Sequence, residues 1–350
     1  MLSALSHRLL PVLQLTRMAL VFTAIADSTC AYLLRAARTA GGGGAGAFFG
    51  AMDWRDGLAI VMVSVGLYGY GMSLNDIIDR RRDSTIAPGR PLPSGRIGVV
   101  TAHVICALLA LAALAGATYL SLRPFYSYWV PLVIVVWTGL LITFYDVAGK
   151  YLVWPGLICL GLIRFFHAAV PAPDLPVLWH PLLLLNHVAI LSTVAYKWEQ
   201  KRPALTRGQR WSVLGMLALI DLVLIGFCGI YRKSSLALSP GLLLPAGAVV
   251  LFLVVAAVIK RRYANRREAG QTLMLYGLLW LIVYDAAFVA GSADFRGSDG
   301  AIDWANHPRW IAAAAVFALL PVAYLSVQVM RWWSKLLMAS QRPEYKRAGV

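Results

Sequence analysis

Acidic residues are scarce in this chain: 16 among 350, half the number of lysines and arginines. Charged residues of either sign make up only 14%, hydrophobic residues make up 59%, and the mean hydropathy is +0.68. That balance excludes the two-domain soluble protein that the length alone would suggest. Cysteine is nearly absent. Cys30, Cys106, Cys159 and Cys228 each fall inside an apolar run with no CxxC spacing. They read as small core residues, and the spacing gives no disulfide framework or zinc site. Residues 41–44 are four glycines, but the Lys-Ser/Thr pair and helix start of a phosphate-cradling loop do not follow. They read as a linker. No repeat of fixed short period is present.

What the chain has in quantity is apolar runs of about 20 residues, long enough to cross a bilayer. Ten are legible, at 11–35, 58–78, 98–121, 127–146, 152–172, 180–197, 211–231, 240–260, 271–291 and 309–332. The expected fold is therefore all-α, a polytopic transmembrane bundle forming a single domain over residues 1–350. The net charge of +16 does not point to nucleic acid, because the basic residues alternate with the spans. With the N-terminus in the cytoplasm, 22 of the 32 lysines and arginines fall in cytoplasmic segments and eight fall outside. Arg17 and Arg164 remain, within spans. This orientation places both termini in the cytoplasm of a multi-pass protein of the inner (plasma) membrane. The run after Arg17 continues to Leu34 without a convincing cleavage site, so it reads as an uncleaved anchor. Loops 79–97, 197–210 and 260–270 share the cytoplasmic side, and the polar loop 292–308 lies opposite.

Against that scarcity of acid, residues 75–83 read Asn-Asp-Ile-Ile-Asp-Arg-Arg-Arg-Asp. Asn75, Asp79 and Asp83 are four apart, and Asp76 precedes Asp79 by three. On a helix these side chains share one face. Like charges at that spacing repel, so the stretch makes better sense around a cation. A solvated helix end obeying the positive-inside rule would need arginines alone, not three aspartates.

The string Asn75-Asp76-x-x-Asp79-x-x-x-Asp83, followed by Arg90-Pro91-Leu92-Pro93-Ser94-Gly95-Arg96-Ile97, resembles the UbiA family of membrane prenyltransferases. Thr23-Ala24-Ile25-Ala26-Asp27, Tyr145-Asp146-x-x-x-Lys150 and Gly161-Leu162-Ile163-Arg164-Phe165-Phe166 also fit, as does the basic loop before the ninth run. The resemblance covers about residues 11–291 and implies nine core helices, with the run at 309–332 as an extra tenth. It implies Mg2+-dependent transfer of a prenyl group from a prenyl diphosphate to an aromatic or other small lipophilic acceptor, among membrane lipids. Asp76, Asp79 and Asp83 would act in catalysis and hold metal with Asn75. Asn75, Arg90, Tyr145, Lys150, Arg164, Lys197, Lys201 and Arg202 would meet the diphosphate. The physical chemistry agrees, since carboxylate-held Mg2+ and basic side chains neutralise a leaving diphosphate.

One part of the pattern is broken. The family's second DxxxD motif is replaced by Tyr196-Lys197-Trp198-Glu199-Gln200-Lys201-Arg202, as in a divergent bacterial branch. Two readings stand. Either Glu199 takes part in catalysis by holding a second Mg2+, with Lys197, Lys201 and Arg202 replacing lost metal charge. Or the chain is a non-catalytic lipid-binding or transport protein on the same scaffold. A phosphatidyl-alcohol transferase would need DGxxAR, which does not occur, and the broken helices and paired half-repeats of a transporter are not evident.

Ionisable residues inside spans are functional candidates because their burial in lipid is costly. Arg164 either reaches the diphosphate or pairs with Asp27, Asp221 or Asp285. Asp146 and Lys150 abut the cytoplasmic mouth, which favours a site role. Asp221 and Asp285 read as structural, and His167, Asn186 and His187 as satisfied core groups. Tyr68, Tyr70, Phe144, Phe165 and Phe166 either pack the bundle or line a tail tunnel with cation–π shielding.

Overall fold

The computed structural model describes residues 2–40, 44–124, 126, 128–175, 178–231, 239–292 and 308–340. Every regular element among them is helical. The chain runs α1 (Leu2–Leu15), α2 (Val21–Ala40), α3 (Gly44–Gly50), α4 (Trp54–Ile78), α5 (Arg80–Ile86), α6 (Val99–Ser121) and α7 (Val130–Phe144). It continues with α8 (Lys150–Leu152), α9 (Trp154–Ala169), α10 (Trp179–Trp198) and α11 (Arg207–Ile230). The last elements are α12 (Leu243–Arg262), α13 (Arg266–Gly291), α14 (Pro308–Phe317) and α15 (Leu319–Ser340). A π turn, Tyr145–Gly149, joins α7 to α8.

Seven segments among the described residues are long and apolar enough to cross a membrane, which makes this a multi-pass membrane protein. The count of ten spans is not reproduced. The three remaining runs form α2, α9 and α10, of which α9 has only 16 residues. The other two carry Asp27, and His180, Asn186 and His187, along their length. The reason lies in the packing. Helices α2, α4, α7, α9, α10 and α13 form a closed ring, each touching the next and α13 returning to α2. Helix α6 packs outside α4 and α7, α11 outside α9, and α12 outside α13, with its Phe252 also meeting His187 of α10. Burial follows this order, with 61% of the apolar window of α13 buried against 17% for α11 and α12. Inner helices face protein and tolerate polar residues that a lipid-facing helix does not.

Four boundaries differ from the sequence expectation. The run at 11–35 is broken at Arg17, which has φ 47°, and a 3-10 turn at Met18–Leu20 then leads into α2. Arg17 therefore stands at a helix break rather than inside a span. The fourth run passes through the π turn to Leu152, and the fifth is shortened by the break at Val153, φ 59°. The final run divides into α14 and α15. Gly44 begins α3, whose Phe48 is buried in the core beside α2 and α13. The remainder of the glycine linker, residues 41–43, and residues 293–307 of the expected loop 292–308 lie outside the described residues.

Small residues set the close contact of α4 with α6. A Cβ placed on Gly66 of α4 would lie 2.6 Å from Ala113 N and Leu109 O of α6. One placed on Gly116 of α6 would lie 2.6 Å from Ala59 O. Without a hydrophobic drive between helices in lipid, such backbone approach supplies the packing that holds the pair together.

Candidate active site

The acidic face expected from the sequence is present and buried. Asp79 joins α4 to α5, and backbone bonds from Asp79 N to Asn75 O (2.9 Å) and Asp83 N to Asp79 O (2.8 Å) keep the helical register through the junction. Asp76, Asp79 and Asp83 are consequently all buried, while Arg80, Arg81 and Arg82 between them are exposed. The 3–4 spacing has become an inward acidic stripe with an outward basic one.

The segment after α5 brings Arg90 back to this stripe. Leu92 and Ile97 are buried against Leu15 at the end of α1. Gly95 takes φ 73°, a turn conformation that suits a residue without Cβ. Arg96 ties the loop down by donating to Gln14 Oε1 (2.9 Å) and Gly89 O (2.5 Å). Burial there lowers its pKa from the usual guanidinium value. Anchored in this way, Arg90 Nη1 stands 2.5 Å from Asp83 Oδ2 and 3.4 Å from Asp76 Oδ1.

Three other cations complete the cluster. Arg17 Nη2 lies 3.3 Å from Asp76 Oδ1, and Arg82 Nη2 lies 3.4 Å from Asp79 Oδ2. Lys150 Nζ lies 2.8 Å from Asp79 Oδ1, delivered by the π turn, a helix distortion frequent at functional sites. Close contact between Gly149 and Gly156 lets α9 begin directly behind it. Asn75 Nδ2 donates to Asp79 Oδ2 at 3.4 Å. Asp146 is buried in the same turn, within electrostatic reach of Lys150, Asp79, Arg17 and Asp76. Tyr145 is half-buried within reach of Asp79 and Arg17. Four carboxylates thus face four cations at one end of the bundle.

Other expected residues lie elsewhere. Arg164 donates to Asp27 Oδ2 (2.5 Å) and Thr23 Oγ1 (2.7 Å), joining α9 to α2. Tyr68 stands within electrostatic reach of both Arg164 and Arg17, between the two groups. Glu199 caps α10, packs against Gly270 of α13 and pairs with Lys201 at 3.2 Å. Lys197, Lys201 and Arg202 are exposed. No ion pair joins this group to the Asp76 group among the described residues. Asp221 accepts from Asn186 Nδ2 at 2.9 and 3.0 Å, and His187 bonds to Gly277 O and Tyr284 Oη. His167 lies between Ser28 and Ser64. Phe165 is core packing, Phe144 points outward, and Tyr70 bonds to Thr143.

Sequence reasoning missed Arg17 and Arg82 as members of the site. Arg82 was hidden among three arginines that all suit the positive-inside rule. Arg17 was assigned to a span interior, although an intramembrane charge is itself a signal for a site.

The donor set suits Mg2+ in chemistry: four hard carboxylates and an amide oxygen. Their oxygens do not form a ready three-residue cage. Among the described residues, the one group of three with all ligand atoms within 4.8 Å is Cys30, His180 and Asp285. Mg2+ ordinarily takes only one or two carboxylates together with substrate phosphates, so no such cage is required.

No family model matches the sequence, and no curated protein matches it. Solved structures do match. A structure of digeranylgeranylglyceryl phosphate synthase aligns with TM-score 0.55 and 20% identity, over 81% of this chain and 98% of that one. A UbiA homologue from Archaeoglobus fulgidus aligns with TM-score 0.48 and 13% identity, over 79% of this chain and 99% of that one. The same homologue bound to GPP and Mg2+ aligns with TM-score 0.44 and 13% identity, over 91% and 99%. The helical bundle described above shares its fold with the digeranylgeranylglyceryl phosphate synthase structure.

Proposed function

We propose that this protein transfers a prenyl group from a prenyl diphosphate to an aromatic or other small lipophilic acceptor, with Mg2+ held at the Asp76 end of the bundle. The observation that carries this reading is the four-against-four arrangement of buried carboxylates and cations. A prenyl diphosphate is an apolar chain with a strongly anionic head, which suits a membrane bundle that gathers four cations and four carboxylates at one end. The neighbour named as a digeranylgeranylglyceryl phosphate synthase is described in membranes, which accords with prenyl chemistry there.

Asp76, Asp79 and Asp83, with Asn75, would hold the metal. When bound, Mg2+ supplies positive charge to the leaving diphosphate. Arg17, Arg90 and Lys150, which pair with these carboxylates, would donate to the phosphate oxygens of the donor. Cleavage breaks the allylic C–O bond, with the electron pair leaving on the diphosphate oxygen. The acceptor then bonds to the allylic carbon and gives up a proton. Tyr68, within electrostatic reach of Arg17 and Arg164, would shield an allylic cation with its ring. Glu199 and Lys201 form a second half-site with less negative charge than the first. The basic-residue distribution supports the inner membrane, with both termini in the cytoplasm.

A non-catalytic binding protein is the second reading, favoured by one observation: Glu199 is already paired with Lys201. The deciding experiment incubates the purified protein with Mg2+, a panel of prenyl diphosphates and candidate acceptors, and measures diphosphate release. Acceptor-dependent release supports the transferase. Donor binding with no release for any acceptor leaves the binding protein.

A further inference from the structure

A second buried polar group lies where α2, α10 and α13 meet. Cys30, His180 and Asp285 bring their ligand atoms within 4.8 Å of one another, and all three are buried. His180 Nε2 stands 2.7 Å from Asp285 Oδ1, and Cys30 Sγ stands 3.4 Å from the Asp285 backbone oxygen. The carboxyl of Asp27, one helical turn before Cys30, faces that of Asp285. Three polar atoms here have no hydrogen-bond partner: Asp27 Oδ1, Asp285 Oδ2 and His180 Nδ1. Each belongs to a side chain with essentially no exposure.

We propose that Cys30, His180 and Asp285, with Asp27 as a fourth donor, form a binding site for a divalent metal of the Zn2+ class. The donor chemistry selects it. Thiolate, imidazole and carboxylate together are the ligand set of Zn2+, whereas Mg2+ takes oxygen alone. With Asp27 beside Asp285, the three clustered residues would reach the donor number of a structural zinc site. Charge points the same way. Two carboxylates against the Arg164 guanidinium leave one negative charge in a buried place, and a divalent cation bound there would also convert the Cys30 thiol, which now donates to the Asp285 backbone oxygen, to a thiolate ligand with release of its proton. The orphaned oxygens and ring nitrogen supply lone pairs that no protein donor uses. The site joins the first helix of the ring to its last, so the metal closes the bundle. Large sequence separations hide it, because Cys30 and Asp285 are 255 residues apart and no short motif contains both.

The test uses the full chain, purified in detergent without chelator. Metal analysis is expected to give about one equivalent of Zn2+ per chain, retained in excess Mg2+. Loading with Co2+ is expected to give a cobalt–thiolate charge-transfer band that Cys30→Ser removes. Asp79→Ala is expected to keep both the zinc and the band, which separates this site from the Asp76 site. If wild type carries only trace zinc and shows no cobalt–thiolate band, the proposal falls, and Asp27 and Asp285 share a proton instead. The wild-type band decides the matter even where Cys30→Ser fails to fold.

Discussion

Lys150 Nζ lies 2.8 Å from Asp79 Oδ1, and the two side chains are only 11% and 3% exposed. The residues are 71 positions apart and come from different helices. A buried carboxylate next to a buried ammonium is a poor source of net stability, yet removing one partner is costly. The Lys150→Met variant should therefore lose about 3 kcal/mol of stability, because Asp79 is left buried and without its nearest cation. If Mg2+ takes carboxylates of this group, saturating Mg2+ should restore part of the loss. Thermal unfolding in detergent with and without Mg2+ checks this. An equal loss in both conditions would show that the metal does not reach Asp79.

Arg17 offers a contrast, since its side chain is 41% exposed where it meets Asp76. Exposed ion pairs contribute little to stability. Arg17→Gln should leave the unfolding temperature nearly unchanged. If the guanidinium instead meets the donor's diphosphate, the same change should weaken donor binding about tenfold, roughly 1.4 kcal/mol. Titration of a prenyl diphosphate in Mg2+ measures it. Large destabilisation with unaltered affinity would assign Arg17 to the helix break alone.

Packing of α4 on α6 supports the acidic stripe from the far side. Gly66→Val should destabilise by about 1–3 kcal/mol, the usual cost of overpacking, because its Cβ would meet backbone atoms at 2.6 Å. Gly57 lies on the same helix with open space around it. Gly57→Ala should be neutral or slightly stabilising. Comparing the two unfolding temperatures separates close approach from a general loss of glycine in α4.

Local spacing made the acidic face of α4 and α5 legible in the sequence, since a 3–4 pattern survives any tertiary arrangement that keeps the helix. The all-α membrane bundle was legible for the same reason, from apolar runs alone. Arg17 was not, because a helix break at a non-glycine residue with φ 47° leaves little local signature. Nor were the zinc-type donors at Cys30, His180 and Asp285, which meet only through the ring closure of α2 on α13. The runs at α2 and α10 form 20-residue helices that are less apolar than the seven membrane-length ones, because ring position permits polar residues inside a helix. Arg164 was legible as a buried charge with Asp27 among its possible partners, but distance alone decides which one it holds.

Glu199 separates the transferase from the binding protein. It is the one acidic residue in the segment replacing the second aspartate motif, and it is pressed against Gly270 with Lys201 at 3.2 Å. If Glu199 assists departure of the diphosphate through a second metal, Glu199→Gln should cut turnover at least tenfold, about 1.4 kcal/mol of transition-state stabilisation. Donor affinity should change less, because negative charge grows on the diphosphate as the C–O bond breaks. Lys201→Ala and Arg202→Ala should instead weaken donor binding, since they meet charge already present in the ground state. Turnover and donor affinity measured on the three variants distinguish the cases. A silent Glu199→Gln beside two harmful basic substitutions would mean that this half-site works by cations alone. Three silent substitutions would remove the 197–202 segment from the site and leave the Asp76 group to hold the diphosphate by itself.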